Sequence, residues 1–437
     1  MTRWLPFVIA CAACGDNLPH DNVFTAASGT RLTLQRYRYE DGTEQTVANE
    51  FYDLELHTRC AARPWTDGTV RCVPVADDVG FLDAACTMPA GINRTGGKPG
   101  FFVATAGGAP AHVYRAGASL QVIAQAYALV NDVCSATTVP SGTLAFALGD
   151  ELDGTTQVEL HDRELGDGRI ALVVRESDDG VRVQAGLRDR TLGVACAARA
   201  RSDGSVVCEP QGAAAAAYFH DPGCSEPVVA VSAATSLASL IEPTGCASYH
   251  TVGADMAPPI YRRDATGCIA VDPPGNLRLR AVGAAVELPA IGRSLEPADG
   301  HRLQHIVLDA DFGSDLRVVD DRLHDTTHAI DCAPRALRNT TRCIPINLAA
   351  AGPFFTAGCT TPALITELPA HPCEPIAFAG TMRPFQIRPI ADPVPTTFVL
   401  DGPTCVPYAA QPGNELRALG PAIDQTQFPA AIYFGER

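Results

Sequence analysis

Residues 60–74 read Cys-Ala-Ala-Arg-Pro-Trp-Thr-Asp-Gly-Thr-Val-Arg-Cys-Val-Pro, so that two cysteines flank an Asp-Gly pair. Close copies of this stretch occupy residues 196–210 and 332–345. The first cysteines of the three stretches, at positions 60, 196 and 332, are 136 residues apart in both steps. One such stretch can arise by chance, but three at equal spacing predict an internal repeat of about 136 residues.

Two further cysteines follow each copy, and we expect them all to form disulfides. Cys246 and Cys373 lie outside the repeated pattern. If Cys14 is a lipid anchor, an even number of cysteines remains after it, which is typical of an exported disulfide framework. The expected disulfide cysteines are Cys60, Cys72, Cys86, Cys134, Cys196, Cys208, Cys224, Cys268, Cys332, Cys343, Cys359, Cys405, Cys246 and Cys373.

The pairing of these cysteines stays open in the sequence. Four cysteines per repeat allow three pairings. An ideal two-residue turn at Asp67-Gly68 would point Cys60 and Cys72 to opposite faces of a hairpin. A bridge between these two cysteines is therefore not required by the pattern.

The N-terminus resembles a bacterial lipoprotein signal. Arg3 supplies a positive charge, a short apolar run ends at Ala10, and small residues surround two cysteines. Cys14 and Cys11 are both candidates for lipidation, and an ordinary cleaved signal is the alternative. We expect a signal in residues 1–14, a polar tether in residues 15–28, and repeats in residues 29–166, 167–299 and 300–437.

The residue pattern predicts an all-β fold. Apolar and polar residues alternate in residues 32–37 and 181–183, which indicates half-buried strands. A proline follows each second cysteine (Pro74, Pro210 and Pro345) and indicates a strand end, because proline donates no ladder hydrogen bond. We expect a closed propeller-like ring of about six blades, two per repeat. Three small β domains in tandem are the alternative.

The charge and the residue inventory argue against several functions. The net charge is −16, and an acidic surface repels phosphate, so nucleic acid is not an expected partner. Lys98 is the only lysine, which argues against Schiff-base and phosphate-loop chemistry. The sequence lacks serine-hydrolase, zinc-protease and dinucleotide-binding motifs, and we expect no cofactor.

Two charged positions repeat around the first cysteine of each copy. An aspartate lies seven residues before it and an arginine three residues after it. We expect structural ion pairs, with three equivalent ligand sites as the alternative. The expected pairs are Asp53 with Arg63, Asp189 with Arg199 and Asp325 with Arg335.

Four aspartates of the third repeat are candidate metal ligands. Asp309, Asp311, Asp315 and Asp320 occupy positions 1, 3, 7 and 12 of a calcium-type loop. Gly313 stands one position earlier than such a loop requires, so an acidic hairpin is the simpler interpretation.

Two histidine pairs in the same repeat also have a metal-like spacing. His301 and His305, and His324 and His328, are each four residues apart. On a helix this spacing suits zinc, but on a strand it separates the residues by about 13 Å, too far for one ion.

Several of these features together resemble a group of uncharacterised myxobacterial lipoproteins. They are the Arg-Leu opening, the aspartate before the first cysteine, the Asp-Gly to Cys-x-Pro stretch, and a phenylalanine before Cys-x-x-Pro. Residues 13–17, Ala-Cys-Gly-Asp-Asn, are similar too. The resemblance covers nearly the whole mature chain and implies an exported, anchored protein, but no chemistry.

Three functions are compatible with the sequence. We favour a lipid-anchored, disulfide-stabilised scaffold or binding protein of the cell envelope, at the outer membrane or cell surface, with a protein or glycan ligand and no catalytic activity. A propeller-type hydrolase of extracellular glycans would use a carboxylate pair, which no spacing identifies. A purely structural envelope lipoprotein is the third hypothesis.

Overall fold

The computed structural model describes residues 23–94, 96–106, 109–130, 133–232, 235–241, 246–264, 267–273, 275, 277–296, 301–313, 316–337, 340–370, 372–382, 385–410 and 413–435. These residues form an all-β structure with 37 strands and two short 3-10 helices. None of them belongs to a helix long and apolar enough to cross a membrane. The expected signal and both lipidation candidates, Cys11 and Cys14, lie outside the described residues.

The first third of the described chain contains twelve strands. They are β1 (Leu32–Tyr39), β2 (Glu44–Asp53), β3 (Thr58–Pro64), β4 (Val70–Pro74), β5 (Asp77–Phe81), β6 (Pro89–Asn93), β7 (Phe101–Ala106), β8 (Ala109–Val122), β9 (Gln125–Val130), β10 (Val133–Thr138), β11 (Leu144–Leu152) and β12 (Glu159–Leu165). A 3-10 helix, Gly154–Thr156, precedes β12, and the side chain of Asp153 caps it.

The middle third contains thirteen strands. They are β13 (Ile170–Glu176), β14 (Arg182–Asp189), β15 (Val194–Ala200), β16 (Val206–Pro210), β17 (Ala214–Ala215), β18 (Tyr218–Phe219), β19 (Pro227–Val231), β20 (Leu237–Ile241), β21 (Ala247–Asp255), β22 (Ile260–Asp264), β23 (Gly267–Val271), β24 (Arg278–Ala285) and β25 (Ile291–Glu296).

The last third contains twelve strands. They are β26 (Leu303–Ala310), β27 (Val318–Asp325), β28 (Ile330–Leu337), β29 (Thr340–Pro345), β30 (Leu348–Ala350), β31 (Ile365–Pro369), β32 (Phe378–Met382), β33 (Phe385–Pro393), β34 (Thr397–Asp401), β35 (Thr404–Tyr408), β36 (Asn414–Leu419) and β37 (Ala430–Gly435). A second 3-10 helix, Gln425–Gln427, precedes β37 and is capped by Asp424.

All three thirds contribute strands to one central sheet, which we call the ring. Its order is β16-β15-β14-β13-β12-β4-β3-β2-β1-β37-β29-β28-β27-β26-β25. In each third, four strands form an antiparallel meander. Strand β12 then joins β4 to β13, and β37 joins β29 to β1. The first and last strands of the described chain are therefore hydrogen-bonded neighbours.

The two ends of the ring also meet. Val207 of β16 forms an antiparallel bridge with Ala290, and the Cys208 N–H donates to the Pro289 carbonyl at 3.0 Å. Strand β2 contacts both β14 and β27, although each lies five strands or more away in the sheet order. Contacts across the interior require the sheet to curl, so the ring is barrel-like.

The remaining strands form three lobes outside the ring. In the sequence, each lobe lies between the fourth strand of a meander (β4, β16 or β29) and the next strand of the ring (β12, β25 or β37). Lobe 1 (residues 77–152) is a seven-stranded sheet, and lobe 2 (residues 214–285) is an eight-stranded sheet. Lobe 3 (residues 348–419) has a five-stranded and a two-stranded sheet.

This topology differs from the expected propeller of six blades. A propeller stacks separate four-stranded sheets around an axis, whereas here fifteen strands share one hydrogen-bonded sheet. The alternative of three tandem domains also fails, because the shared sheet joins all three thirds. Local alternation and turn signals identify strands, but they do not say which strands pair over long distances.

The ring is held by three apolar clusters at the junctions between thirds. The first packs Leu32, Leu34 and Phe51 against Val181 and Val183; the second packs Ile170 and Leu172 against Ile306 and Phe312; the third packs Leu303 and Leu323 against Tyr39. Each cluster therefore contains residues from two thirds. A fully buried aliphatic or aromatic side chain contributes about 1.5–3 kcal/mol, so these junctions favour the closed arrangement.

Seven cysteine pairs lie at disulfide distance, with Cα–Cα separations of 4.8–5.8 Å. Every cysteine expected to form a disulfide is in one of them. The pairs are Cys60–Cys72, Cys86–Cys134, Cys196–Cys208, Cys224–Cys268, Cys332–Cys343, Cys359–Cys405 and Cys246–Cys373.

In the first meander, the hairpin bridge is possible because the connection between β3 and β4 is longer than two residues. Pro64 pairs with Val70, so residues 65–69 form the connection. In this register Cys60 lies opposite Pro74 and Cys72 opposite Ala62. The two cysteines are then diagonal neighbours on one face, and the prolines end their strands as expected.

The end of the expected tether forms backbone bridges to the rest of the structure. Val23 forms a bridge with Arg317, and Ala27 with Arg182. Residues 23–27 therefore contact the middle and last thirds of the chain, which differs from a free polar tether.

Candidate ligand-binding site

The second strand of each meander is irregular where it faces the interior of the ring. The pairing of β1 with β2 shifts between Leu34 and Arg36, that of β13 with β14 between Val173 and Val174, and that of β26 with β27 between His305 and Val307. Residues 47–50, 185 and 320–322 are thereby released from these ladders. Bulges re-aim side chains and are frequent beside functional sites.

The three bulged strands surround one cavity of about 350 Å³, which we call the central cavity. Its wall includes apolar side chains from β14, β27 and the N-terminal segment, namely Val183, Val319 and Phe24. Its polar side chains include Arg36, Glu44, Gln45, His305, Asp320 and Asp321. An apolar wall with a few convergent polar groups is the usual form of a small-molecule site.

A second cavity of about 430 Å³ adjoins the first. The two cavities share Gln184, Ala185, Gly186, Asp320 and Asp321 in their walls. The bulges of β14 and β27 therefore separate the two spaces, and side chains at these bulges are accessible from either one.

Asp320 has a fixed partner in Arg322. Its Oδ1 accepts hydrogen bonds from Arg322 Nε at 2.8 Å and from the Arg322 backbone N–H at 3.0 Å. Arg322 also donates to the Ala198 carbonyl at 3.1 Å. Asp320 is only 7% exposed, and a buried carboxylate requires such a counter-charge. The Asp320–Arg322 pair is therefore neutral as a unit.

Asp321 has no such partner. Among the described residues, no arginine or histidine forms an ion pair with its carboxylate, whereas Arg322 is engaged by Asp320. Burial by surrounding protein atoms, together with the hydrogen bond and charge of Asp320, raises the pKa of Asp321 to about 6. Asp321 nevertheless remains open to solvent, and it lines both cavities.

Glu44 faces the central cavity already paired. Arg36 Nη1 lies 3.4 Å from Glu44 Oε2, and Arg38 Nε donates to Glu44 Oε1 at 2.9 Å. Both arginines lie on β1, opposite the start of β2. The charge of Glu44 is therefore balanced within its own hairpin.

Gln45 fixes the bulge of β27 against β2. Its Nε2 donates to the backbone carbonyl of Asp321, and its Oε1 accepts from the Tyr39 hydroxyl at 2.6 Å. Both Gln45 and Tyr39 are buried. These bonds hold the backbone of Asp321 in position while leaving its carboxylate free of this network.

His305 adds a neutral polar group to the wall. Burial lowers the pKa of its imidazole, with Glu296 opposing and His301 adding to the shift. Its Nδ1 is buried and has no hydrogen-bond partner within the described part of the chain. Because its pKa is lowered, the ring is uncharged at neutral pH.

The repeated aspartates do form buried ion pairs, but with different arginines from those expected. Asp53 is fully buried and accepts from Arg31 Nε at 3.1 Å and Nη2 at 2.8 Å. The equivalent pairs are Asp189 with Arg169 and Asp325 with Arg302. The prediction of Arg63 was wrong because Leu32 lies opposite Asp53 in the β1–β2 ladder, which brings Arg31 to the carboxylate.

The three arginines that were expected in these pairs have other environments. Arg63 lies on β3, while Arg199 is 3.4 Å from Glu209. The Arg335 guanidinium lies over the Phe385 ring at 5.0 Å. The three arginines therefore share a position relative to the cysteine, but they do not share a contact partner.

The acidic candidates for a metal site are dispersed. Asp309 is exposed on β26, the Asp311 carbonyl accepts from the Ile170 N–H at 3.1 Å, and Asp320 pairs with arginine. Asp315 lies outside the described residues. No group of three or more metal-ligating side chains occurs within the described ranges.

The four spaced histidines lie in separate environments. His301 Nδ1 is 3.2 Å from Thr43 Oγ1, His324 Nδ1 is 2.9 Å from Asp331 Oδ1, the His328 ring packs on Phe428 at 4.9 Å, and His305 lines the central cavity. Their spacing of four therefore reflects strand positions and does not create a shared site.

Sequence reasoning missed Asp321, although it selected its neighbour Asp320. The carboxylate pair stands where the other two meanders have Ala-Asn or Ala-Gly at their bulges, residues 48–49 and 185–186. This difference from the other two meanders was the available signal. Its meaning depends on the bulge, which the sequence does not reveal.

These observations define a disulfide-rich, all-β protein with a cavity between its bulged strands. The chain belongs to a family of unknown function, DUF7481, whose model matches residues 7–428. No curated protein and no solved structure matches the chain. The match confirms the expectation that the chain resembles uncharacterised proteins over nearly its whole length. The family assigns no activity, so any function has to be inferred from the site.

Proposed function

We propose that this protein is an exported, disulfide-stabilised binding protein of the cell envelope that holds a small ligand in its central cavity. The observation that carries the proposal is the convergence of three bulged strands, one from each third of the chain, on that cavity. Their side chains depart from the ladders and face a common space, as a preformed ligand site requires.

The rigidity of the ring supports a binding role. Cys60, Cys72, Cys208, Cys332 and Cys343 are fully buried, and their three bridges lie in the meanders that surround the cavity. A cavity with fixed walls binds without a large ordering cost. Disulfides of this number also indicate an oxidising compartment outside the cytoplasm.

The proposal includes a lipid anchor at Cys14 or Cys11, at the outer membrane or cell surface. The support is the lipoprotein-like signal in residues 1–14. Mass spectrometry of the mature protein, before and after reduction, tests this part. We expect an acylated N-terminal cysteine and seven disulfides, and an unmodified N-terminus would contradict the anchor.

We also infer a threefold internal repeat, with units at residues 29–166, 167–299 and 300–437. Each unit would contain a four-stranded meander, an inserted lobe and a closing strand. The recurring strand order and the three buried Asp–Arg pairs support this division. The third cysteines, Cys86, Cys224 and Cys359, also share a left-handed backbone with φ of 51–52°.

A thermal-shift screen of small extracellular metabolites tests the binding role. The matched variant is Ala185→Trp, because Ala185 lies in the walls of both cavities and an indole there fills space. We expect compounds that stabilise the wild type and have no effect on the variant. If no compound stabilises the wild type, or if the variant responds equally, the binding proposal fails and a structural envelope role remains.

A glycan hydrolase is less well supported by the cavity. The raised pKa of Asp321 suits a general acid, but its carboxylate contacts that of Asp320, much closer than the ~5–9.5 Å of glycosidase pairs. Glu44 and Asp320 are both held by arginines. Phe24 is the only phenylalanine, tyrosine or tryptophan in the described wall, whereas sugars usually stack on several such rings.

A further inference from the structure

Asp320, Asp321 and Arg322 together carry one net negative charge when both carboxylates are ionised. Glu44, on the other side of the cavity, is held by Arg36 and Arg38. His305 is neutral because burial lowers its pKa. Among the described residues, no arginine or histidine forms an ion pair with the Asp321 carboxylate, although the charge of Arg322 attracts it.

Two carboxylates in contact repel each other when both are ionised, and a bound cation reduces that repulsion. The alternative is to take up a proton, which is why the pKa of Asp321 is raised to about 6. Above this pH the free protein holds two carboxylates in contact, with Arg322 as their nearby counter-charge. A ligand that brings its own positive charge gains the interaction that the protein lacks.

The wall beside Asp321 is apolar. Val183, Ala185 and Val319 lie on the same bulged strands, and Phe24 covers the cavity from the N-terminal segment. A cavity of about 350 Å³ is at the small end of the range for organic ligands. An inorganic cation would leave most of this wall without a contact.

We propose that the ligand of the central cavity is a small organic cation, a primary amine with a compact apolar body, whose ammonium group pairs with Asp321. The inference rests on the binding role proposed above and adds the chemical class. The apolar body packs between the bulges of β14 and β27, beside the uncharged ring of His305.

Binding should weaken in acid. A proton and the ammonium group of the ligand compete for the Asp321 carboxylate. Protonation below about pH 6 therefore removes the negative charge that the ammonium group pairs with. The ion pairs of Asp320 with Arg322 and of Glu44 with Arg36 also lie at the two cavities, and His305 gains positive charge as the pH falls, which opposes a cation as well. The apparent affinity should fall about tenfold per pH unit below about 6.

Isothermal titration calorimetry with phenethylamine tests the proposal, because this amine has an ammonium group and one aromatic ring. Phenylacetate and phenethyl alcohol have the same ring with a negative or no charge. The variants are Asp321→Asn and, as a control, Asp309→Asn, which removes an exposed carboxylate of β26 outside both cavities. Measurements at about pH 7.5 and about pH 5 bracket the titration of Asp321.

We expect phenethylamine to bind the wild type and Asp309→Asn alike, and Asp321→Asn at least about tenfold more weakly. Equal binding to Asp321→Asn, preferential binding of phenylacetate, or no binding of phenethylamine would each overturn the amine proposal. If phenylacetate or phenethyl alcohol binds the wild type and Ala185→Trp abolishes that binding, only the proposed ligand class is overturned. The binding role then remains. Circular dichroism of Asp321→Asn confirms that a loss of binding does not come from unfolding.

Discussion

The carboxylate of Asp179 accepts a hydrogen bond from the backbone N–H of Leu32 at 2.7 Å, across 147 residues of chain. It also accepts one from the Arg31 N–H at 2.8 Å. Asp179 lies in the turn between β13 and β14, and Leu32 begins β1. The turn of one meander therefore docks on the opening strand of another.

This docking continues around the ring. Asp41, in the turn between β1 and β2, accepts from the Leu303 N–H at 2.8 Å. In the turn after β26, the carbonyl of Asp311 accepts from the Ile170 N–H at 3.1 Å. The middle third thus docks on the first, the first on the last, and the last on the middle. Three steps return to the start, which requires a closed arrangement.

Removal of one docking carboxylate should destabilise the ring. We expect Asp179→Ala to lower the free energy of unfolding by about 1–3 kcal/mol, because two partly buried N–H groups of β1 lose their acceptor. Asp178→Ala is the matched control, one residue away. Denaturant titration measures both, and equal losses would show that the docking bonds contribute nothing.

The same contacts predict an acid-sensitive stability. Burial alone would raise the pKa of Asp179, but hydrogen bonds from Ser177 and from the N–H groups of β1 lower it below its usual value. The pKa of Asp41 is lowered in the same way. A lowered folded-state pKa adds stability that is present above the unfolded value of about 3.9 and lost as the pH falls below it.

The double variant Asp41→Asn, Asp179→Asn tests this pH dependence. We expect its thermal midpoint to fall less steeply than that of the wild type between about pH 5 and about pH 2. Its midpoint at neutral pH should be lower, since an amide accepts less strongly than a carboxylate. A slope identical to that of the wild type would assign the acid sensitivity to other carboxylates.

The buried Asp–Arg pairs should contribute more than any surface pair. Asp189 is fully buried and accepts bonds from Arg169, from the Thr191 N–H at 2.9 Å and from the Leu192 N–H at 3.2 Å. We expect Asp189→Ala to cost about 2–4 kcal/mol, since several donors lose their acceptor together. The exposed Arg163–Glu176 pair is the comparison, and Arg163→Ala should cost below about 1 kcal/mol.

Strands and cysteines could be predicted from the sequence because their signals are local. Alternation in residues 32–37 and the proline after each second cysteine identified real strands and real strand ends. The even count of cysteines after Cys14 corresponds to the seven pairs. These features depend on a few consecutive residues or on simple counting.

The ring, the Arg31–Asp53 pair and the central cavity could not be predicted because they depend on register. A bulge in β27 decides whether Asp321 faces a cavity or a neighbouring strand, and no residue type specifies that bulge. The Asp–Arg error has the same origin. Arg63 is nearer to Asp53 in sequence, but the β1–β2 ladder places Arg31 beside it.

At the junction between the last and the middle third, the acceptor is the backbone carbonyl of Asp311, whereas the other two junctions use an aspartate carboxylate. Gly168 makes this close approach of the two backbones possible. A Cβ added to Gly168 would lie 2.2 Å from the Asp311 carbonyl oxygen and 2.4 Å from the Gly313 nitrogen. We expect Gly168→Ala to cost about 1–3 kcal/mol, because the turn must move away. Gly100→Ala is the control, since a Cβ there meets nothing within 4 Å. Equal midpoints for the two variants would contradict the close approach at this junction.

The seven disulfides should differ in their rate of reduction. The bridges within the meanders are buried, with Cys60 and Cys72 fully inaccessible, whereas Cys246 and Cys373 are partly exposed. Cys246–Cys373 links lobe 2 to lobe 3, and the Arg201 guanidinium contacts the Cys373 sulfur. A neighbouring cation stabilises a thiolate and so assists its departure during thiol–disulfide exchange.

Limited reduction followed by alkylation and peptide mass spectrometry tests this order. We expect Cys246 and Cys373 to be labelled first under native conditions and the meander cysteines last, after the ring has opened. Arg201→Gln should slow the labelling of Cys373 while leaving that of the buried Cys60 unchanged, because only the former loses a cation near its sulfur. Simultaneous labelling of Cys60 and Cys373 would mean that the lobes and the ring open as a single unit, so that burial in the ring gives its disulfides no separate protection.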